Sequence, residues 1–342
     1  MYDFDIAVIG GGPAGAAAAI TAASRGLSVA IVEREAFPRP APGESAHPGI
    51  QPLLKQLGVE EAVLNANFVR YPGHMVQSRG LENYVPFGSD ESGDWQGFQL
   101  WRPQFDSILL NRAHSLGVKI LQPDRAVEPI FESAGLSGVV TSAGTLRTRY
   151  VIDATGRRRL VSRWMNLEWN KVGVTRTAWY GYAIGDCPER ASRPLLSLSA
   201  DNWHWIARVR PDTYAWTHVT TIRDRPQAGW LPSEIAGLKP LIPPTGVDVT
   251  WGVTSAAAGP GYFLVGDAAF CLDPAAGHGI LKALMSGIYA AHLVVQVLEQ
   301  KAAPSFAAAA YSDWMRNWFQ SDATKLDALY KDHADLSGDI VK

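Results

Sequence analysis

Two glycine-rich turns and two histidines are where this chain could do chemistry. Gly10, Gly12 and Gly15 form G-x-G-x-x-G within GGGPAG, directly after the apolar run FDIAVI. The first glycine permits a tight turn, the second lets backbone approach a pyrophosphate, and the third lets the following helix pack close to a sheet. A helix start there offers unpaired N–H groups to phosphate. Glu33 closes the next strand candidate, LSVAIVE, where an acid can accept from ribose hydroxyls. Strand, turn, helix, strand and acid in that order read as a dinucleotide site, although the glycines alone do not choose between FAD and NAD. Far along the chain, VGDAAFCLDPAAGHGI at 265–280 repeats the form of strand, turn and small-residue helix. Two such turns predict one elongated cofactor held at both ends. His47 could act near a substrate or be a plain loop histidine. His278 could contribute its imidazole or only its backbone.

The elements that must position these groups follow from pattern. AAAAITAASRG predicts a helix stopping near Gly26. Residues 34–52 are too rich in Pro and Gly for a regular element. A helix is expected over about 50–65, and Phe105, Leu109 and Ala113 set an apolar stripe for another across 99–116. VKIL and the segments AVEPIFE, LSGVVTS and LRTRYVIDA suggest a strand and a small meander, ending in DATG at 153–156. TAWYGYAI, RPLLSLSA, WHWIARVR and TYAWTHVTTI read as strands of an antiparallel sheet. The chain returns through GYFLVGDAA and then is helical, with a break at KAAPS, 301–305. The expected organisation is an α/β fold: a discontinuous Rossmann-like nucleotide domain (1–160 plus 255–300), an inserted antiparallel-sheet substrate domain (161–254) and a helical C-terminal segment (301–342).

Composition narrows the partners. The 342 residues are enough for a large core and two domains. A net charge of -2, with no basic block or zinc spacing, argues against nucleic acid. Twelve tryptophans imply both core and pocket rings. Cys187 and Cys271 make no disulfide framework, and Cys271 reads as a small buried residue rather than a nucleophile. The N-terminus lacks the form of a signal peptide. The apolar stretch 280–298 is interrupted by Lys282, His292 and Gln296, so a packed helix is expected rather than a membrane span. A cytoplasmic location fits these features.

GGGPAG at 10–15, FPRPAPGES at 37–45, RPQFD at 102–106, DATG at 153–156 and GDAAFCLDPAAGHGI at 266–280 carry a resemblance. The chain resembles the FAD-dependent aromatic hydroxylases of the p-hydroxybenzoate hydroxylase-like superfamily, in the branch with flavin halogenases and geranylgeranyl reductases. The likeness covers about 1–160 and 250–300 well and the middle only in outline. It implies a GR2-type FAD domain. By it, Gly10, Gly12, Pro13, Ala14, Gly15, Glu33 and Arg34 hold the ADP half of FAD, and Arg102 reaches the pyrophosphate region. Glu44 and Ser45 fold over the cofactor, and Val127, Asp153, Gly156 and Gly266 join its contacts. Asp267 meets the ribityl chain, while Pro274, Gly277, His278, Gly279 and Ile280 face the flavin ring. From the residues alone, Arg102 could instead be a surface arginine at a helix start, Asp267 an N-cap, and Glu44 a solvated acid.

The resemblance implies chemistry of reduced flavin. Hydroxylation of an aromatic ring through a flavin C4a-hydroperoxide is the first expectation. The substrate is a small aromatic molecule or a tryptophan in a partner peptide or protein, as in quinone-cofactor maturation. Alkene reduction, halogenation and a non-catalytic flavin module are the alternatives. Relatives that halogenate carry a lysine in the stretch after the GES-like loop, but this chain has none between Lys55 and Lys119, where Arg70 and Arg79 stand instead. Guanidinium does not replace a neutral amine nucleophile. The halogenase run W-x-W-x-I-P is met only by Trp203-His204-Trp205-Ile206-Ala207. Without a second G-x-G-x-x-G unit, and with RRRLVSR after DATG only partly matching the hydroxylase signature, the reductant is NAD(P)H acting directly or a separate flavin reductase.

Overall fold

The computed structural model describes residues 1–78, 80–199, 202–221 and 225–334. Short β-branched runs with both faces covered form a parallel sheet. Its strands run 119–121, 29–32, 4–9, 148–153 and 262–264, all parallel. The lower half of the strand Gly144–Asp153 leaves this sheet for the expected meander, pairing antiparallel with Gly135–Thr141, which pairs with Ala126–Glu132. Five connections leave the carboxyl edge of the parallel strands: 10–15, Glu33, 122–125, 154–156 and 265–269. A ligand crevice is expected at that edge.

Helix α1 (Pro13–Ala23) covers the sheet with a small-residue face; Ala16, Ala17, Ala18, Ala19 and Ala22 are wholly buried. The expected single helix over 50–65 is two short ones, α2 (Gln51–Gln56) and α3 (Glu60–Asn65). Gly58, at φ +68°, turns the chain between them. Helix α4 (Arg102–Ser115) matches expectation, with Arg102 as its first residue rather than preceding it. A short α5 (Leu160–Trp164) follows DATG. Helices α6 (Gly279–Leu298) and α7 (Pro304–Ala334) form the C-terminal layer. By length and apolarity α6 would suffice to cross a membrane, yet 56% of its apolar window is buried here. It lies against α1, where a Cβ on Gly287 would overlap the carbonyl oxygen of Ala14. That packing accounts for its apolar character.

The second sheet has the strand order 239–240, 177–184, 213–220, 202–210, 195–198, 73–78 and 81–86. The four central strands are those expected, though RPLLSLSA shortens to Leu195–Leu198; Ala200 and Ile222 lie outside the described residues. The hairpin of Gly73–Ser78 and Leu81–Pro86 was not foreseen. It comes from the N-terminal part of the chain and docks parallel on Leu195–Leu198. GHMVQS has no β-branched run of its own, so its strand state depends on that partner. The tryptophans sort by face: Trp216 packs edge-on to Trp230 at 5.2 Å, while Trp203 faces Val219 and Val249.

Replacing Gly287 by Ala should push α6 off α1 and lower stability by about 1–3 kcal/mol. The urea midpoint should fall for this variant, while Gly237→Ala, with open space around the new methyl, leaves it unchanged.

Candidate functional site

The N-terminal turn is built for close approach. Gly10 has φ +107°, and a Cβ there would lie 2.5 Å from the Ala154 carbonyl oxygen. A Cβ on Gly15 would overlap the carbonyl oxygen of Gly10. The first turn of α1 carries no side-chain cap and no acid, so its N–H groups stay open to an anion. Glu33 is buried; its Oε2 accepts the Gly11 N–H at 2.7 Å and its Oε1 the Glu35 N–H at 3.0 Å. Arg39 Nε lies 4.0 Å from Glu33 and is buried without a hydrogen-bond partner.

The second turn sits beside the first. Gly266, at φ +58°, leaves room for Ala14, whose Cβ would be 3.3 Å from an added methyl. Asp267 Oδ1 accepts from Lys282 Nζ at 2.6 Å, and Asp267 Oδ2 lies 3.6 Å from Arg157 Nε. Burial raises the Asp267 carboxyl, but the two cations outweigh it and hold it below the usual range. Lys282 also donates to the Phe270 carbonyl at 2.9 Å. Arg157 Nη1 is buried and unpartnered. Orphaned guanidinium donors at both turns, and glycines where methyls would block approach, fit an elongated dinucleotide with anionic phosphates.

A loop closes over these turns. Arg102 is partly buried as a clamp: it donates from Nε and Nη2 to Asp106 at 2.8 and 2.9 Å, and from Nη1 to the Pro42 carbonyl at 2.6 Å. Glu44 is buried, which raises its carboxyl, and it accepts from the Tyr182 hydroxyl and from Gly43 N–H at 3.1 Å. Ser45 donates to Gln99 Oε1 at 2.7 Å and accepts from Trp205 Nε1 at 2.8 Å. The second tryptophan of the WHW run is thereby tied to the cofactor-side loop.

The Pro274–Gly279 loop is held from three directions. Asp273 accepts the Ala275 N–H at 3.1 Å, Trp251 Nε1 at 2.7 Å and the Tyr330 hydroxyl at 3.0 Å, with Arg176 at 3.8 Å. Tyr330 in turn accepts from Trp203 Nε1 at 2.6 Å. Gly277 takes the left-handed turn at φ +66°, and His278 is the N-cap position of α6. The open N–H groups of Gly279 and Ile280 can stabilise developing negative charge. His278 Nδ1 lies 2.9 Å from Asp322 Oδ2. A chain of rings runs from this loop into the inserted sheet: His278 to His47 at 6.3 Å, His47 to Phe87 at 5.4 Å, Phe87 to His74 at 5.9 Å and His74 to Trp205 at 5.7 Å.

The remaining expected residues are spread more widely. Arg34 is about half exposed and paired with Glu35 at 3.0 Å; Val127 is exposed. Asp153 is wholly buried and spends its carboxylate on Thr155 and the Val161 N–H. Gly156, at φ +60°, begins the turn after it. Cys271 is buried, which raises its thiol. Arg70 clamps the Gln96 and Gly97 carbonyls at 3.0 and 3.1 Å, and Arg79 lies outside the described residues. Sequence reasoning missed Arg39, Arg157, Tyr182, Asp273, Asp322 and Tyr330 and gave Lys282 no role. Lys282 had one signal, a lone cation in an apolar run; Asp322 and Tyr330 had none. A separate open cleft of about 1150 Å³ lies along α4, lined by Phe37, Trp101, Ile108, Arg208 and Arg210, and contains none of the expected site residues.

Residues 3–316 match the family described as an FAD binding domain, and the chain belongs to it. Its sequence relatives include flavin-dependent halogenases. Flavin-dependent halogenase armH4 of Armillaria mellea is 31% identical over 233 residues, 61% of this chain and 44% of that protein. The chain thus spans less than half of such relatives. A tryptophan 2-halogenase of Chondromyces crocatus is 29% identical over 323 residues, covering 86% of this chain and 61% of that protein. The solved structure of flavin-dependent brominase Bmp2 shares the fold, with a TM-score of 0.86, 23% identity and coverage of 97% and 88%. By kinship alone, halogenases are favoured over aromatic hydroxylases, the reading expected second of those two.

Asp267→Ala leaves Lys282 buried without its partner. FAD retention in that variant should weaken about 10-fold or more by equilibrium dialysis, a loss of about 1.4 kcal/mol or greater. Cys271→Ala should retain FAD as the parent does.

Proposed function

We propose that this protein is a flavin-dependent monooxygenase that places oxygen, rather than halogen, on an electron-rich aromatic ring of the indole class. The observation that carries the reading is His74. The hairpin 73–86 lies in the stretch where the halogenating relatives are expected to carry a lysine, and it brings His74, packed between Phe87 and Trp205, to the ring chain that ends at His278. Burial lowers the His74 imidazole, keeping it neutral, and its Nδ1 has no partner. The stretch between Lys55 and Lys119 supplies no amine to capture or guide a hypohalous acid.

Bound and reduced, FAD supplies two electrons and activates dioxygen. One oxygen atom enters the ring and the other leaves as water. The chain's own residues do the rest. Gly279 and Ile280 would offer N–H groups to the bound flavin, Asp273 and Tyr330 fix the loop before them, and Glu44 with Tyr182 holds the covering loop in place. Phe87, Trp205 and Tyr182 offer ring faces and edges to a planar substrate. The substrate is a free indole or a tryptophan side chain in a peptide. NAD(P)H or a separate flavin reductase renews the reduced cofactor. Halogen transfer is the second reading, favoured by kinship and by the retained Trp203 and Trp205.

Purified protein with FAD, a flavin reductase, NADH and either free tryptophan or a tryptophan-containing peptide should incorporate one labelled oxygen from ¹⁸O₂, with or without bromide. A brominated product that needs bromide would select the second reading. Product formed without oxygen would reject both.

A further inference from the structure

The long C-terminal helix brings a carboxylate to the site that the reading above does not use. Asp322 is buried in α7 and lies beyond residue 316, where the family match ends. Its Oδ2 stands 2.9 Å from His278 Nδ1 and accepts the Trp318 indole N–H at 2.9 Å, while Lys325 Nζ lies 3.7 Å from Oδ1. Burial opposes charge on Asp322, but the His278 bond, Trp318 and Lys325 together hold its carboxyl below the usual range. An ionised carboxylate only accepts. In a neutral His278 ring the proton therefore sits on Nδ1, and Nε2 keeps its lone pair. Among the described residues Nε2 has no protein partner.

His47 faces this ring edge-on, 6.3 Å between centroids. Its own Nδ1 accepts the Gly49 N–H at 3.0 Å, so its proton sits on Nε2. Burial lowers the His47 imidazole, favouring its neutral form. Two adjacent imidazoles are thus held as opposite tautomers, one presenting a lone pair and the other an N–H.

We propose that Asp322 is a positioning residue that holds His278 as the proton acceptor of this site, with His47 as the matching donor. The proposal rests on the oxygen-transfer reading. Once an oxygen atom has been added to the aromatic carbon, that carbon must lose its proton. The C–H electron pair returns to the ring, the proton passes to His278 Nε2, and the resulting imidazolium rests on the Asp322 carboxylate.

Nitrogen-15 histidine NMR of the FAD-loaded protein at pH 8 reads the tautomers without turnover. His278 is expected as the Nδ1–H form and His47 as the Nε2–H form. Asp322→Ala should shift His278 toward Nε2–H, the form free imidazole prefers. Asp322→Asn, which keeps a carbonyl acceptor and loses the charge, should fall between and serves if the alanine variant does not fold. With a tryptophan-containing peptide as probe, product formation should drop about 10-fold or more in Asp322→Ala, at unchanged FAD content and rate of flavin reduction. An Nε2–H form of His278 in the parent, a tautomer unmoved by Asp322→Ala, or product formation that ignores the substitution overturns the proposal. Absence of labelled oxygen in any product, with the tautomers as expected, instead overturns the oxygen-transfer reading.

Discussion

Helix α6 reaches α1 only because Gly287 presents no side chain to the Ala14 carbonyl. Close approach of the two helices through small residues sets their axes and lays the first turn of α1 against the third turn of α6. Everything at the site depends on that. Gly266 meets Ala14, so the turn after the last parallel strand lies against the turn after the first. The unpaired N–H groups at the start of α1 and the turn at 266–268 thus share one edge of the sheet, although the segments are distant in the chain. Kinship with FAD-binding proteins and the orphaned donors on Arg39 and Arg157 agree with a single extended ligand spanning both turns.

Buried charge is the second constraint. Lys282 sits in a helix otherwise fit for a hydrocarbon environment, and its ammonium is compensated by Asp267 and the Phe270 carbonyl. Such pairs rarely add much stability, because desolvation offsets attraction. They do fix geometry: Asp267 cannot turn away without stranding Lys282. Arg102 behaves likewise, bound to Asp106 and to the loop carbonyl of Pro42, so the covering loop is latched to α4.

Much of this was legible from residues whose effect is local. Gly10 and Gly15 act through their own backbone and near neighbours, so the strand–turn–helix unit reads directly from the chain. The strands 177–184 and 213–220 announce themselves by their aromatic and β-branched runs. Gly58 breaks the helix expected over 50–65 by the same local logic, and the pattern of apolar residues hid it. What escaped is non-local. The hairpin 73–86 becomes a strand pair only by docking on Leu195–Leu198. Asp322 and Tyr330 matter through partners more than forty residues away, and nothing in a helical periodicity marks them. Glu44, which could pass for a solvated acid, is buried because Tyr182 arrives from another sheet to cap it.

The Trp203–Tyr330–Asp273 hydrogen-bond chain joins three parts of the molecule: the inserted sheet, the last helix and the cofactor-side loop. Tyr330 is the hinge pin of that arrangement. The terminal helix is therefore a brace whose far end reports on the sheet and the loop together. Through one phenol the position of the sheet and the position of the 273–277 loop are fixed to the same helix.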